Sequence, residues 1–160
     1  MVCTERHYKK FMSMAFAEAL VAYRENEVPV GAVIVRDDLP LLAKAHNQCE
    51  SLKDPTAHAE IQVIRQAASY GTSWRLEGAV LYVTKEPCIM CAGAMVNARI
   101  ARLVYGCHDL KGGAVNSLYQ LLSDTRLNHQ VQVVPGVMEK ECSWLLRRFF
   151  RMLRNSNANK

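Results

Sequence analysis

Apolar and polar residues alternate with a helical period in several segments of the chain. Near the N-terminus, apolar side chains at Phe11, Ala15 and Ala19 are four residues apart. This spacing is typical of an amphipathic helix, so we predict a helix at 8–27, which ends before Pro29. Similar patterns with capping residues or prolines at their boundaries predict further helices at 54–70, 87–98 and 140–154 and a short helix at 118–122.

Short runs of β-branched and other apolar residues lie between these helices and favour extended strands. The first two runs are joined by the polar turn Arg36-Asp37-Asp38, which predicts an antiparallel hairpin. The later strands alternate with helices, and crossover helices join parallel strands. The sequence therefore predicts an α/β fold, a three-layer α/β/α sandwich whose five-stranded mixed sheet is largely parallel and opened by one hairpin. The predicted strands are 30–35, 41–45, 79–84, 102–105 and 130–134.

Length and composition indicate a small enzyme of a reducing compartment. The 160 residues suit one domain, 1–160, in which 155–160 is predicted to be a frayed tail. Residues 1–10 are polar, and no apolar run approaches the roughly 18 residues of a transmembrane helix. The six cysteines favour metal ligands and buried thiols over a disulfide framework. We therefore expect a cytoplasmic protein without a membrane span.

Two short motifs combine three metal ligands with one carboxylate that is not a ligand. His58-Ala59-Glu60 is followed by Pro-Cys-Ile-Met-Cys at 87–91, so His58, Cys88 and Cys91 are candidate ligands of one Zn²⁺ per chain. A structural zinc site has four protein ligands, whereas a catalytic site has three and keeps the fourth position for water. Zinc lowers the pKa of that water from about 15.7 toward 7, and Glu60 is the candidate proton carrier.

The predicted secondary structure supports convergence of the two motifs. Both begin a predicted helix, and His58 and Glu60 can converge only beyond the N-terminal end of theirs, because residues i and i+2 point about 200° apart. The Cys-x-x-Cys pair has two alternatives, a redox dithiol or half of a zinc ribbon. A second such pair, which a ribbon requires, does not occur in the sequence.

The C-terminal segment carries the net charge of the chain. The formal charge is +5, and 140–160 contains six basic residues against Glu141 alone. On a helix, Cys142, Leu145, Phe149 and Met152 would form an apolar stripe packed on the sheet. Arg147, Arg151 and Arg154 would lie on another face, where they could follow a phosphate backbone or form only a solvated surface.

The sequence resembles the bacterial tRNA-specific adenosine deaminases over nearly its whole length. His-x-Glu followed by Pro-Cys-x-x-Cys is the signature of zinc nucleobase deaminases, which share a cytidine deaminase-like fold. This signature alone does not select the substrate, so the narrower resemblance depends on the flanking blocks. These blocks are Glu27-Val28-Pro29-Val30-Gly31-Ala32, His46-Asn47, 54–61, 81–84, 86–95 and Asn128-His129.

The resemblance implies both a reaction and a set of site residues. The implied reaction is hydrolytic deamination of adenosine to inosine at the wobble position of a tRNA anticodon, by a homodimer with each site near the subunit interface. The alternatives are a free-base guanine or cytosine deaminase and a noncatalytic zinc-bearing RNA-binding subunit, which Glu60 disfavours. The residues implied are zinc ligands His58, Cys88 and Cys91, the acid/base Glu60, the nucleoside contact Asn47, and the anticodon-loop contacts Asp109, Lys111, Phe150 and Arg151.

Several of these residues also have a purely structural explanation. Asn47 could form a turn after the second strand, and Asp109 could cap a turn beside Gly112-Gly113. Phe150 lies at the edge of the apolar stripe, where it could pack or stack. The sequence departs from the family pattern at three places. Lys85 stands where relatives usually have an apolar residue, His108 precedes Asp109, and the hairpin turn at 37–38 lacks glycine.

Overall fold

The computed structural model describes residues 5–36 and 39–158, without the side chains at 39, 40 and 157. Its elements agree in type and order with most of those predicted, and the hairpin turn predicted at 37–38 lies outside the described residues. The elements are α1 (Glu5–Arg24), β1 (Gly31–Arg36), β2 (Leu39–His46), α2 (Cys49–Leu52), α3 (Ala59–Ser69), β3 (Val80–Lys85), α4 (Ile89–Asn97), β4 (Arg102–Cys107), a 3₁₀ turn (Leu121–Ser123), β5 (Gln132–Val134) and α5 (Glu139–Ala158).

A five-stranded mixed sheet with the order β2-β1-β3-β4-β5 forms the middle layer. Strands β3, β4 and β5 are parallel, and β1 pairs antiparallel with β2. Strand β1 also pairs antiparallel with β3, so the expectation that antiparallel pairing is confined to the hairpin is wrong. The reason is topological, because the connection through α3 passes over β1 and places β3 on its far side, parallel to β2.

Helices cover both faces of the sheet, which confirms the predicted three-layer α/β fold. Helices α1 and α5 lie on one face, where the rings of Tyr23 and Phe149 meet edge to face with centroids 6.1 Å apart. Helices α3 and α4 pack against each other, and α3 contacts β1 and β2. Among the described residues, none of these helices is long and apolar enough to cross a bilayer.

A glycine lets α1 approach the sheet closely. At Gly31, the first residue of β1, an added Cβ would collide with backbone atoms of Ala15 and Ala19. Both alanines are fully buried, as are the strand residues Ala32 and Val33. The helix therefore packs backbone to backbone against β1, and its C-terminal end carries the chain directly toward the site.

Several element boundaries differ from those predicted. Helix α3 begins at Ala59 and not at 54, because the Asp54 carboxylate accepts hydrogen bonds from the Thr56 amide and hydroxyl, at 2.8 and 2.7 Å, and closes a turn before the helix. The short helix α2 was not predicted. Helix α5 continues to Ala158, so 155–158, predicted as a frayed tail, forms its last turn.

The apolar stripe of α5 is shorter than predicted. Cys142, Leu145 and Phe149 are buried as expected, and Leu146 is buried beside them. Met152, however, is 48% exposed, which contradicts its predicted place on the sheet. Its sulfur accepts a hydrogen bond from the Tyr23 hydroxyl at 2.7 Å. Every described side chain after Phe149 is exposed, so the helix has left the sheet by that point.

Candidate active site

The three predicted metal ligands meet where α3 and α4 begin. His58 and Cys88 are the N-cap residues of these helices, both with extended backbone, and Cys91 lies in the first turn of α4. His58 Nδ1 is 3.7 Å from Cys88 Sγ and 3.5 Å from Cys91 Sγ. The ligand atoms of His58, Cys88 and Cys91 all lie within 4.8 Å of one another, so the three side chains converge on one point.

The spacing of these donor atoms fits a zinc ion. Bonds of about 2.3 Å to sulfur and about 2.0–2.1 Å to nitrogen, meeting at a tetrahedral angle, place sulfur and nitrogen about 3.6 Å apart. The two S···N distances in the structure, 3.7 and 3.5 Å, agree with this value. Of the described residues, only these three form a ligand cluster, so a zinc ion held by them would have its fourth position open to a non-protein ligand.

The pKa values of the two ligand thiols are shifted in opposite directions. A hydrogen bond from Cys91 lowers the pKa of Cys88 to about 3, against the opposing effect of burial, and a bond to His58 contributes. The same bond, together with burial, raises the pKa of Cys91. Cys88 is therefore held as a thiolate, the form that ligates metals.

Glu60 lies in the first turn of α3, beside the ligand cluster and buried at 4% exposure. Burial raises the pKa of its carboxyl, and its own backbone amide and the nearby His58 oppose that shift only in part. A carboxyl whose pKa is raised by burial in a cleft is suited to take up and release a proton near neutral pH.

A cavity of ≈ 240 Å³ opens beside these groups, and Asn47 forms part of its wall. Asn47 Nδ2 donates to Glu27 Oε2 at 3.2 Å. The amide N–H groups of Glu50 and Ser51 donate to the same carboxylate at 3.2 and 2.7 Å. Burial raises the pKa of Glu27, but these hydrogen bonds outweigh burial and lower it overall. Glu27 therefore fixes the amide orientation of Asn47, a role that the sequence reading missed.

The loop after β4 is organised around another buried carboxylate, Glu86. Its oxygens accept hydrogen bonds from the amides of Asp109, Asn116 and Ser117, at 3.0, 2.7 and 2.9 Å, from the Val115 amide and from the Ser117 hydroxyl. Burial raises the pKa of Glu86, yet these donors prevail and lower it to about 2. Glu86 thus holds 109–117 against the start of α4.

The Glu86 contacts predict a specific acid sensitivity. Because its pKa is lower in the folded chain, its contribution is complete above the unfolded value of 4.5 and is lost as pH falls toward about 2. The shift corresponds to stabilisation on the order of 3 kcal/mol. We expect Glu86→Gln to reduce the free energy of unfolding near pH 7 and to weaken its dependence on pH between about 4.5 and 2.

Urea denaturation at several pH values measures this effect. The matched control is Glu77→Gln, which changes an exposed carboxylate. A pH dependence that is the same in Glu86→Gln and in the wild type would contradict the assignment.

Asp109 caps a turn in this loop, as one of its two predicted explanations requires. Its Oδ1 accepts from the Lys111 amide at 3.1 Å, and its Oδ2 pairs with Lys85 Nζ at 2.6 Å. His108, another of the departures from the family pattern, makes a hydrogen bond through Nδ1 with the Tyr105 hydroxyl at 3.1 Å. The contact of Asp109 with RNA stays a prediction.

The remaining predicted contacts lie in a second, wider groove of ≈ 710 Å³. Lys85 and Phe150 line both the cavity and the groove, so the two adjoin at these side chains. Phe150 is 41% exposed, which agrees with an edge position and not with a core position. The basic side chains of this groove are Lys85, Lys111, Arg147, Arg151 and Arg154.

Comparisons with known proteins identify the family of the chain. The family model of MafB19-like deaminases matches residues 6–154. The tRNA-specific adenosine deaminase of Bacillus subtilis is 49% identical over 144 residues, which cover 90% of this chain and 89% of the relative. The family-model match therefore spans both metal motifs and most of α5.

Solved structures extend the likeness to three dimensions. One, from a study of A-to-I editing by tRNA:A34 deaminases at the wobble position, superposes with a TM-score of 0.82 at 47% identity, covering 86% of this chain and 99% of the other. Guanine deaminase from Nitrosomonas europaea has a TM-score of 0.77 at 18% identity, covering 88% and 83%, and shares the fold alone. The chain belongs to the tRNA-specific adenosine deaminases, within the MafB19-like deaminase family.

Proposed function

We propose that this protein deaminates adenosine to inosine at the wobble position of a tRNA anticodon. The observation that carries the proposal is that the cavity lined by His58, Cys88 and Glu60 adjoins the basic groove beside α5. The cavity suits one base, and the groove suits the phosphates on either side of it.

The reaction replaces the C6 amine of adenine with oxygen from water and releases ammonia. His58, Cys88 and Cys91 would hold one zinc ion per chain, and that ion supplies Lewis acidity and a water of lowered pKa. Glu60 accepts one proton of the attacking water and delivers it to the ring nitrogen N1, and it then carries the second proton, from the hydroxyl left on C6, to the departing amine, which leaves as ammonia. Burial raises the pKa of the Glu60 carboxyl, which favours its holding a proton between uptake and delivery.

The cavity also determines how the base must be presented. An adenine that is paired or stacked cannot reach the cluster, so the anticodon loop presents it flipped out. Asn47, fixed by Glu27, is positioned to contact the nucleoside, and Phe150 stands where the cavity meets the groove. We propose that Asp109, Lys111 and Arg151 contact nucleotides that flank the flipped one.

Charge in the groove supports RNA over a free base as substrate. Arg147, Arg151 and Arg154 are exposed, and no ion pair joins them to an acidic side chain within the residues 5–36 and 39–158. On a helix face that is merely solvated, such arginines commonly form ion pairs with acidic neighbours. Arginines that bind a phosphate backbone need guanidinium groups that are not already paired with carboxylates.

Replacing Arg147, Arg151 and Arg154 together with Gln should weaken tRNA binding and flatten its salt dependence. Each lost phosphate contact reduces the slope of log K against log salt by about 0.7–0.9, so loss of two contacts changes it by more than about one. Binding titrations at several salt concentrations measure the slope. Zinc content should not change.

The matched control removes three charges elsewhere, by replacing Lys10, Arg65 and Arg75 with Gln. These side chains are exposed and line neither the cavity nor the groove. If the folded triple variant of α5 shows an unchanged salt slope for tRNA binding, the arginine face of α5 is only a solvated surface. The next candidates for phosphate contacts are then Lys85, Lys111 and Arg126.

Parallel assays with four substrates distinguish the proposed function from its alternatives. Purified protein is incubated with tRNA, adenosine, guanine or cytosine, and the products are identified by nucleoside and base analysis. We expect inosine in tRNA as the principal product. Turnover of guanine or cytosine without any inosine in tRNA would favour a free-base deaminase. If the protein binds RNA but turns over none of the four substrates, a noncatalytic RNA-binding subunit is favoured.

We also propose that the chain acts as a homodimer in the cytoplasm. Exposed apolar side chains at the start of α4 and in the segment after β4 support the assembly, because large exposed apolar groups commonly mark interfaces. Sedimentation of the purified protein tests it. These side chains are Ile89, Leu110, Leu118 and Tyr119, exposed by 53, 79, 52 and 50%.

A further inference from the structure

The outer face of α5 carries a second basic groove, next to the one that adjoins the cavity. Its lining consists of Trp144, Arg147, Arg148 and Arg151, and its volume is ≈ 260 Å³. We call these four residues the outer subsite. Arg147 and Arg151 line both grooves, whereas Trp144 and Arg148 line only this one of the two.

Arg148 is held in place by two aromatic side chains. Its guanidinium carbon lies 5.3 Å from the centroid of the Trp144 ring, a cation–π contact. Its Nε donates to the hydroxyl of Tyr23 on α1 at 3.1 Å. Within the described part of the chain, no hydrogen bond or ion pair uses its two Nη atoms. The side chain is thus oriented, with its paired donors still available.

The composition of α5 leaves these cations uncompensated. From Cys142 to Ala158 the helix contains four arginines and no aspartate or glutamate. Trp144 is 52% exposed despite its size. A large exposed aromatic ring beside unpaired arginines is not explained by packing, since the buried face of the helix is formed by other residues.

A similar pair elsewhere in the chain shows what a purely structural contact looks like. Arg75 lies 5.1 Å from the ring centroid of Trp74, which is 61% exposed. There, however, Arg75 Nη1 is paired with Glu77 at 3.8 Å. The two pairs have nearly the same geometry and differ in whether an acidic neighbour compensates the guanidinium.

We propose that the outer subsite binds a phosphate of the RNA backbone outside the flipped nucleotide, with Arg148 as its principal contact. An arginine that is stacked and has both Nη atoms free presents the planar fork that matches a phosphate. Because Arg147 and Arg151 face both grooves, the bound strand crosses α5 from the cavity side to the outer side. This inference rests on the proposed function, since it assigns a further contact to the same RNA.

Arg148→Gln should weaken binding of tRNA by about tenfold and lower the salt slope by about 0.7–0.9, because one phosphate contact and its released counterion are lost. Arg148→Lys should retain the slope while binding more weakly, since the charge remains without the planar fork. Trp144→Leu should also retain the slope with about threefold weaker binding, because Arg148 loses its support. The KM for tRNA should rise in each variant.

The control is Arg75→Gln, which removes the same charge from the Trp74 pair and should leave the affinity and slope of tRNA binding unchanged. Thermal melting and sedimentation show whether each variant is folded and keeps its oligomeric state. Unchanged affinity and slope in folded Arg148→Gln would overturn the outer subsite. So would a change of oligomeric state without loss of RNA binding, since the face would then contact another protein chain.

The proposed function fails by a different observation. If the wild-type protein binds tRNA but forms no inosine, the deaminase assignment is wrong, while the salt slopes still decide the outer subsite. If the wild type forms inosine and Arg148→Gln binds tRNA with an unchanged slope, only the outer subsite is wrong.

Discussion

Glu60→Ala is expected to lose nearly all deamination while keeping its metal and its fold. The carboxylate moves protons and is not among the ligand cluster, so its removal leaves His58, Cys88 and Cys91 in place. A positioned general acid/base typically contributes 10²–10⁴-fold to a rate, and we expect a loss of about this size or greater. Single-turnover deamination of tRNA and elemental analysis measure the two effects separately.

Glu60→Gln serves as the matched variant because it keeps the shape of the side chain and removes only its acid/base chemistry. Burial at 4% exposure disfavours a charged carboxylate at this position, so neither variant should destabilise the fold severely. Near-normal turnover in Glu60→Gln would remove Glu60 from the mechanism. Loss of zinc in both variants would instead make it part of the metal site.

Cys88→Ala or Cys91→Ala is expected to lose most of the bound zinc and, with it, the activity. Either change leaves two protein ligands, and a catalytic zinc site needs three. A bound metal would link the N-terminal ends of α3 and α4 through His58, Cys88 and Cys91, so the melting temperature should fall on loss of zinc from the wild type. Elemental analysis of the purified variants measures occupancy.

Cys49→Ala is the control for this pair of variants. Cys49 also lines the cavity, but it lies outside the ligand cluster, so its replacement should leave zinc occupancy unchanged. Full zinc occupancy in both Cys88→Ala and Cys91→Ala would rule out the ligand assignment.

The ligand cluster was predictable because its geometry is encoded locally. Cys88 and Cys91 are separated by one helical turn, and His58 and Glu60 flank the start of another helix. Their types and spacing restrict the chemistry before the fold is known. The alternation of strands and helices likewise predicted the three layers, since each element carries its own period.

The supporting carboxylates were not predictable because their partners come from distant segments. Glu27 meets amides of 50–51, and Glu86 meets amides of 109–117, so neither pairing leaves a local signal. One indication existed, because an acidic residue at the buried end of β3 requires compensation. The four-residue helix α2 is too short to show a period, and the position of β1 between β2 and β3 depends on the topology of the whole sheet.

The central claim is tested most directly by mapping inosine in tRNA treated with the zinc-loaded protein. Substrates are a tRNA with adenosine at the wobble position and the same tRNA with that adenosine replaced by guanosine. We predict that inosine forms only in the first tRNA, only at the wobble position, and not with Glu60→Ala. Inosine at other positions to the same extent, or none in either tRNA with a fully zinc-loaded wild type, would contradict the account.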